Sequence, residues 1–125
     1  MPISYRRDDV HHRIHLTASP PLTVRDVLDA VYRQAAEATW NYGTVVDLRS
    51  AILAAEGAGD ILEHTRELVD VHGVRGPLAY VVWESSARAQ ASAYASDARG
   101  LVVAVDVFLN IKDAERWLDR QRSLR

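Results

Sequence analysis

Short strand-like segments alternate with amphipathic helical segments along almost the whole chain, and this alternation limits the possible folds more than any other feature. The runs Thr44–Leu48, Leu78–Trp83 and Leu101–Leu109 are rich in apolar and β-branched residues and predict buried strands. The segments between them carry apolar residues at helical spacing. The order β-β-α-β-α-β-α-β-α predicts an α/β fold, in which right-handed crossovers build a mostly parallel sheet of about five strands with helices packed on it.

The first twenty residues predict an antiparallel hairpin at the start of this sheet. Ile3–Arg6 forms the first strand, and a pair of aspartates then favours a turn. In the second strand Val10, Ile14 and Leu16 alternate with polar residues, which indicates that one face is buried. Pro20–Pro21 ends this strand because proline has no N–H to donate to a neighbouring strand.

Several polar residues are predicted to cap the helices. Thr23 precedes the first apolar helical run, and Asp26 follows it at the spacing of a capping box. Asp60 is expected to begin the second helix, Ser85 or Ser86 the third, and Asn110 the last.

Length, charge and composition exclude several classes of function. A chain of 125 residues fits a single domain spanning residues 1–125. A net charge of −2 and a pI near 6.2 argue against a nucleic-acid partner, which usually requires a basic face. No cysteine is present, so disulfides, zinc–thiolate sites and cysteine nucleophiles are excluded. The sequence has no apolar run of roughly 18 residues and no signal peptide, so we expect a cytoplasmic protein without membrane insertion.

Two motifs give the chain a resemblance to a known superfamily. Thr44–Arg49 reads Thr-Val-Val-Asp-Leu-Arg, and Val107–Leu118 joins a closing strand to a helix that ends in Trp-Leu. With the order of elements, these motifs resemble the SpoIIAA-like superfamily, which includes the STAS domains. The resemblance implies a SpoIIAA-like (STAS-like) fold and a small bacterial domain, often a homodimer, that binds a protein partner or a ligand without catalysis and without a cofactor.

The chain departs from this superfamily at the loop that its anti-sigma-factor antagonists use for regulation. In those proteins a serine in the loop after the central strand is phosphorylated. The comparable stretch here is Glu56–Gly59, and Gly57 and Ala58 stand where the family has serines. Because no hydroxyl is present to accept a phosphate, we expect no phosphorylation switch at this loop, and the resemblance points to the uncharacterised small members.

The segment Arg49–Gly59 is the predicted functional surface. In open α/β sheets, ligands bind in the crevice outside the carboxyl ends of the strands. Glycines just before a helix could also expose backbone N–H groups to an anion, but this pattern is a weak phosphate signal, and a flexible helix entry explains the glycines better. The candidate ligand- or partner-binding residues are Asp47, Arg49, Ser50, Glu56, Gly57 and Gly59.

The histidines do not predict a metal site. His11 and His15 would share one face of a strand but would lie roughly 13 Å apart. His12 would point to the opposite face, so no pair has chelating geometry.

Asp47 and the tryptophans receive structural interpretations. An aspartate at the end of a strand commonly accepts hydrogen bonds from nearby backbone N–H groups, so we expect Asp47 to act as a cap or in a salt bridge. We also expect Trp40, Trp83 and Trp117 to lie in the core or at its edge.

Three functions remain open at this point. The first is a non-catalytic regulatory or binding domain with no catalytic residue. The second is a binder of a small apolar or lipid-like ligand, which would require an elongated apolar cavity. The third is a small enzyme that gathers carboxylates and an arginine at the carboxyl ends of the strands. The residues that could serve such an enzyme are Asp47, Arg49, Glu56 and Asp106.

Overall fold

The five strands of the sheet lie side by side in chain order. The computed structural model describes residues 2–51, 57–83 and 85–124, without the side chains of residues 58 and 90 and of the range 85–87. The first two strands are antiparallel, and each later strand is parallel to the one before it. The strands are β1 (Ile3–Asp8), β2 (Arg13–Ala18), β3 (Gly43–Asp47), β4 (Leu78–Val81) and β5 (Val105–Phe108).

In the described residues four helices alternate with the strands in the predicted order, which confirms the α/β architecture with its antiparallel opening hairpin. Three of them connect parallel strands, and the last one follows the edge strand. They are α1 (Val24–Ala36), α2 (Ala58–His72), α3 (Ser85–Asp97) and α4 (Ile111–Ser123). In the part of the chain that the structure describes, no helix combines the length and the apolar character that crossing a membrane requires.

The sequential strand order places the three connecting helices on one face of the sheet, because right-handed crossovers between neighbouring strands all turn the same way. On this face Ile14 of β2 packs against Ala30 of α1. Leu78 of β4 packs with Leu62 of α2 and with Ala98, which follows α3.

The last helix covers the opposite face of the sheet. Ala114 and Leu118 of α4 form a buried cluster with Val45 and Val81 from the two central strands. This arrangement leaves the carboxyl ends of β3, β4 and β5 together at one edge.

The predicted helix caps are confirmed at two of the four starts. The Thr23 hydroxyl accepts a hydrogen bond from the Asp26 N–H, and the Asp26 side chain accepts one from the Thr23 backbone, so the capping box is complete. The Asn110 side chain accepts from the Asp113 N–H and caps α4. The predicted start of α2 at Asp60 is wrong, because the helix is preceded by Gly57 and Asp60 lies within its first turn. The predicted serine cap of α3 falls on side chains outside the described part.

The hairpin turn is longer than predicted. Strand β1 continues to Asp8, and β2 begins only at Arg13. Val10, predicted to lie on the buried face of the second strand, is instead an exposed turn residue. His12 adopts a positive φ of 50°, which reverses the chain before β2.

The last strand is shorter than predicted. Only Val105–Phe108 pairs along β4, whereas Val102 makes isolated bridges to Arg75 and Arg99. Pro77 lies between the bridged Arg75 and the start of β4, and a proline has no N–H to continue the ladder. The apolar run from Leu101 onwards is therefore only partly a strand.

Candidate functional site

The carboxyl ends of the three parallel strands β3, β4 and β5 form the candidate site. Asp47 is paired with Val81, and Val81 is paired with Phe108, so the three strands end at the same level. The residues just beyond these ends therefore lie close together. We define the carboxyl-end surface as Asp47, Arg49, Trp83 and Leu109.

Asp47 and Arg49 form a closed pair at the end of β3. The Arg49 backbone N–H donates to Asp47 Oδ1 over 3.1 Å. The guanidinium of Arg49 donates from Nε to Oδ1 over 2.9 Å and from an Nη to Oδ2 over 2.8 Å. Such a two-point contact fixes the plane of the guanidinium as well as its position. The predicted capping and salt-bridge role of Asp47 is confirmed.

The charge of this pair is stabilised by its hydrogen bonds. The side-chain hydrogen bonds from Arg49 lower the pKa of the Asp47 carboxyl, although partial burial acts in the opposite direction. The same hydrogen bonds raise the pKa of the Arg49 guanidinium. The Asp47 carboxylate is thus negatively charged at neutral pH and accepts these hydrogen bonds.

Trp83 extends this pair into a row of three side chains. Its ring centroid lies 5.5 Å from the Cζ atom of Arg49, within the range of a cation–π contact. The side chain is nevertheless 61% exposed, so the expectation that Trp83 lies in the core or at its edge is wrong. Strand β4 ends at Val81, two residues earlier, and the indole therefore projects beyond the covered part of the sheet.

The other two tryptophans are placed as expected. Trp40 is buried between α1 and α2 with Val31 and Leu68, and Trp117 packs against the core under α4.

The remaining predicted site residues are only partly brought together. Ser50 follows Arg49 and is exposed, whereas Gly57 is buried at the start of α2. Gly59 lies in the first turn of α2 and is exposed. Glu56 lies outside the described residues. The structure therefore joins Asp47 with Arg49 and adds Trp83 through its contact with Arg49. Leu109 lies at the same edge of the sheet, after β5. Neither Trp83 nor Leu109 was among the predicted binding residues.

The histidines near the hairpin lie away from the carboxyl-end surface. His11 Nδ1 lies 2.8 Å from Asp8 Oδ2, and His12 stacks on Tyr42 with ring centroids 5.1 Å apart. His15 faces α4, and its Nε2 atom lies 3.8 Å from Glu115 Oε1. Burial lowers the pKa of the His15 imidazole. Within residues 2–51, 57–83 and 85–124 no three His, Asp or Glu side chains are grouped as ligands for a metal ion.

The Asp47–Arg49 pair predicts a specific pH dependence. Because the folded-state pKa of Asp47 is lowered, the pair stabilises the fold fully above the unfolded-state value of about 3.9, and this stabilisation is lost as the pH falls through the folded-state pKa. Carboxyl NMR titration is expected to place the Asp47 midpoint below its ordinary value. In Arg49→Gln the midpoint is expected to rise. The Asp9 carboxyl is the control, since Arg7 lowers its pKa and its midpoint should not change.

Comparison with known proteins identifies the fold. The sequence matches no family model and no curated protein. In structure the chain is similar to an uncharacterised protein of the DUF3478 family from Shewanella loihica PV-4, which has a SpoIIAA-like fold. The TM-score is 0.62 with 17% sequence identity, over 93% of this chain and 91% of that chain. The predicted SpoIIAA-like fold is confirmed.

Proposed function

We propose that this chain is a non-catalytic binding domain that recognises a protein partner through the carboxyl-end surface. The observation that carries the proposal is the exposed indole of Trp83 beside a guanidinium that Asp47 holds in place. Tryptophan and arginine are among the residue types most enriched at binding hot spots. A guanidinium that is already oriented loses little conformational entropy when a partner binds.

The exposed apolar area extends along the ends of the neighbouring strands. Leu109 directly follows β5 and is 54% exposed. Trp83 and Leu109 each follow strands that pair with one another, so both lie at the same edge of the sheet. Trp83 lies against the charged pair, and Leu109 adds an exposed aliphatic side chain at the same edge. Apolar side chains combined with charged ones match the composition of an interface core with a polar rim.

The states of the carboxylates favour binding over proton transfer. A general base works best with a pKa near the working pH, whereas hydrogen bonds from Arg49 lower the pKa of Asp47 further from neutrality. Asp106, the other described carboxylate considered for an enzyme, is exposed and accepts a hydrogen bond from the Val107 N–H over 2.8 Å. Asp47 ends β3 and Asp106 lies within β5, so β4 separates the strands that carry these two carboxylates.

We further propose that this protein forms a homodimer in a bacterial cytoplasm, as the sequence resemblance implies. Pairing of two copies through Trp83 and Leu109 would bury the two most exposed large apolar side chains of the carboxyl-end surface.

Replacing Trp83 with alanine is expected to weaken partner binding strongly. Loss of a central aromatic anchor typically costs about 2 kcal/mol or more, which is roughly a thirtyfold loss of affinity. The test is affinity capture from a lysate of the source organism with the wild type, Trp83→Ala and Val74→Ser. Val74 is also exposed, but it lies before β4 at the opposite end of the strands and serves as the matched control.

Native mass spectrometry of the same three preparations separates self-association from capture of another protein. A dimer or a captured protein that is lost in Trp83→Ala and kept in Val74→Ser supports the proposal. If Trp83→Ala retains the binding of the wild type, the carboxyl-end surface is not the interface.

A further inference from the structure

Strand β5 forms one edge of the sheet, and a groove runs along that edge. Among the described strands, β5 pairs with β4 on one side and has no strand on the other. The groove lies between α3 and β5 and has a volume of about 420 Å³, which is within the range of ligand-binding clefts. All of residues 102–107 line it. Because successive side chains of a strand point to opposite faces, this run shows that the groove borders the backbone edge of β5.

The hydrogen bonds between β4 and β5 show which backbone groups face the groove. The Leu78 N–H donates to the Ala104 carbonyl over 2.9 Å, so Ala104 directs its backbone towards β4. Along a strand, the backbone groups of successive residues alternate between the two neighbouring sides. Val105 and Val107 therefore direct their N–H and C=O groups away from β4 and into the groove. Such an outward row of donors and acceptors is a template for one more strand.

The Asp106 side chain covers one of these outward backbone groups. Its Oδ1 atom accepts a hydrogen bond from the Val107 N–H over 2.8 Å, and the residue is exposed. The carboxylate thus takes the place that a carbonyl of an added strand would occupy. When an incoming carbonyl accepts from the Val107 N–H instead, the carboxylate is released and can pair with a basic side chain of that strand.

The α3 side of the groove is built from small side chains. Ser92, Ala95 and Ser96 share one face of the helix and line the groove. These short side chains leave room for the side chains of an added strand that lie on the α3 face of the sheet. Such side chains would be level with Val105 and Val107, which are half-buried, so the groove favours apolar side chains at these two positions.

We propose that β5 accepts an extended peptide of a partner protein as a sixth strand, with a basic side chain opposite Asp106 and an apolar side chain on each side of it. Main-chain hydrogen bonds would supply the affinity, and the alternate side chains would supply the specificity. A second copy of this chain suits the edge less well, because pairing about Asp106 would place two carboxylates opposite each other. The groove uses residues other than the carboxyl-end surface, so this inference does not rest on the function proposed for that surface.

NMR titration of the isotope-labelled protein with the blocked peptide Thr-Val-Arg-Val-Thr tests the groove. The order of its side chains is the same in both directions, so the peptide fits a parallel or an antiparallel strand. The amide signals of Val105 and Val107 are expected to shift and to saturate at one peptide per chain. A peptide with glutamate in place of arginine is expected to bind about tenfold more weakly, because repulsion from Asp106 replaces attraction. Methylation of the three central backbone nitrogens removes donors to the edge and is also expected to weaken binding about tenfold.

Variants at exposed positions separate the roles of charge and space. Asp106→Lys is expected to reverse the preference, so that the glutamate peptide binds about tenfold more tightly than the arginine peptide. Ser96→Trp fills the groove from α3 and is expected to weaken binding of the arginine peptide about tenfold. Ala93→Trp, at an exposed position of α3 outside the groove lining, is the matched control and is expected to bind as the wild type does. Trp83→Ala is also expected to bind as the wild type does, which distinguishes this groove from the carboxyl-end surface.

The proposal is overturned if the arginine peptide does not shift the amide signals of Val105 and Val107, or if the methylated peptide binds as tightly. It is also overturned if Asp106→Lys keeps the preference for the arginine peptide, or if Ser96→Trp keeps the wild-type affinity. Shifts of the same signals with protein concentration alone would show that the edge pairs with a second copy of this chain, and this result would overturn the proposal as well.

Discussion

Replacing Gly76 with alanine is expected to lower the melting temperature by roughly 10 °C, because overpacking against rigid atoms costs about 3 kcal/mol in a domain of this size. A Cβ atom built on Gly76 would lie 2.5 Å from the Asn41 carbonyl oxygen and 2.6 Å from the Asn41 carbonyl carbon, and it would also meet the Tyr42 oxygen. All of these atoms belong to the backbone, so no side-chain rotation can relieve the overlap.

The position of Gly76 explains why this contact affects the whole sheet. Its N–H donates to the Trp40 carbonyl over 3.0 Å, which joins the segment before β4 to the loop before β3. Thr44 then donates from its N–H to the Pro77 carbonyl over 2.9 Å. Displacing Gly76 would therefore disturb the register at the start of the two central strands.

Gly59→Ala is the matched control for this prediction. No atom lies within 4 Å of the Cβ position at Gly59, and the residue lies inside α2. Alanine in a helix is more stable than glycine by roughly 0.5–1 kcal/mol, so the melting temperature is expected to rise slightly. Thermal denaturation followed by circular dichroism measures both variants. Equal melting temperatures for Gly76→Ala and the wild type would show that the loop before β3 can move.

The sequence predicts the fold well where local chemistry and burial act in the same direction. The capping box of Thr23 and the cap at Asn110 are local hydrogen-bond patterns, and both are confirmed. The β-branched run at Thr44–Leu48 predicts β3 to within one residue at each end, because a central strand is buried on both faces.

The features that the sequence does not predict depend on how separate segments pair in the folded chain. Val10 has the apolar character of a strand residue, but the position of the hairpin turn is set by the pairing of Asp8 with Arg13. The exposure of Trp83 depends on where the neighbouring strands end. The pairing of Arg75 with Gln34 joins residues 41 positions apart, and no local pattern indicates such a contact.

The two contacts within the carboxyl-end surface also differ in what the sequence can reveal. Asp47 and Arg49 are two residues apart, so their pairing follows from a motif. The contact of Arg49 with Trp83 requires knowledge that β3 and β4 are neighbours and end at the same level. The candidate surface could thus be located from the sequence at β3, whereas its exposed aromatic residue could be found only from the structure.

Replacing Leu118 with alanine is expected to lower the free energy of unfolding by about 2–5 kcal/mol, the range for truncating a fully buried leucine. Leu118 is 1% exposed and packs with Val45 and Val81 beneath α4. Its Cδ2 atom lies 3.0 Å from the Cβ position of Gly43, so the helix approaches β3 where that strand has no side chain. Truncation would leave a cavity that neighbours on the rigid central strands cannot fill.

The size of this loss shows whether apolar packing or the neighbouring ion pair contributes more to holding α4 on the sheet. Asp119, the following residue, pairs with buried Arg13 and holds the same helix on β2. If the ion pair dominated, Leu118→Ala would cost no more than about 0.5 kcal/mol, the usual size of the effect at an exposed position. Leu124→Ala is the control. The Leu124 side chain is 79% exposed, so this variant is expected to leave the free energy of unfolding unchanged. Urea denaturation measures both variants, and equal values for them would show that α4 does not depend on its apolar contacts with β3 and β4.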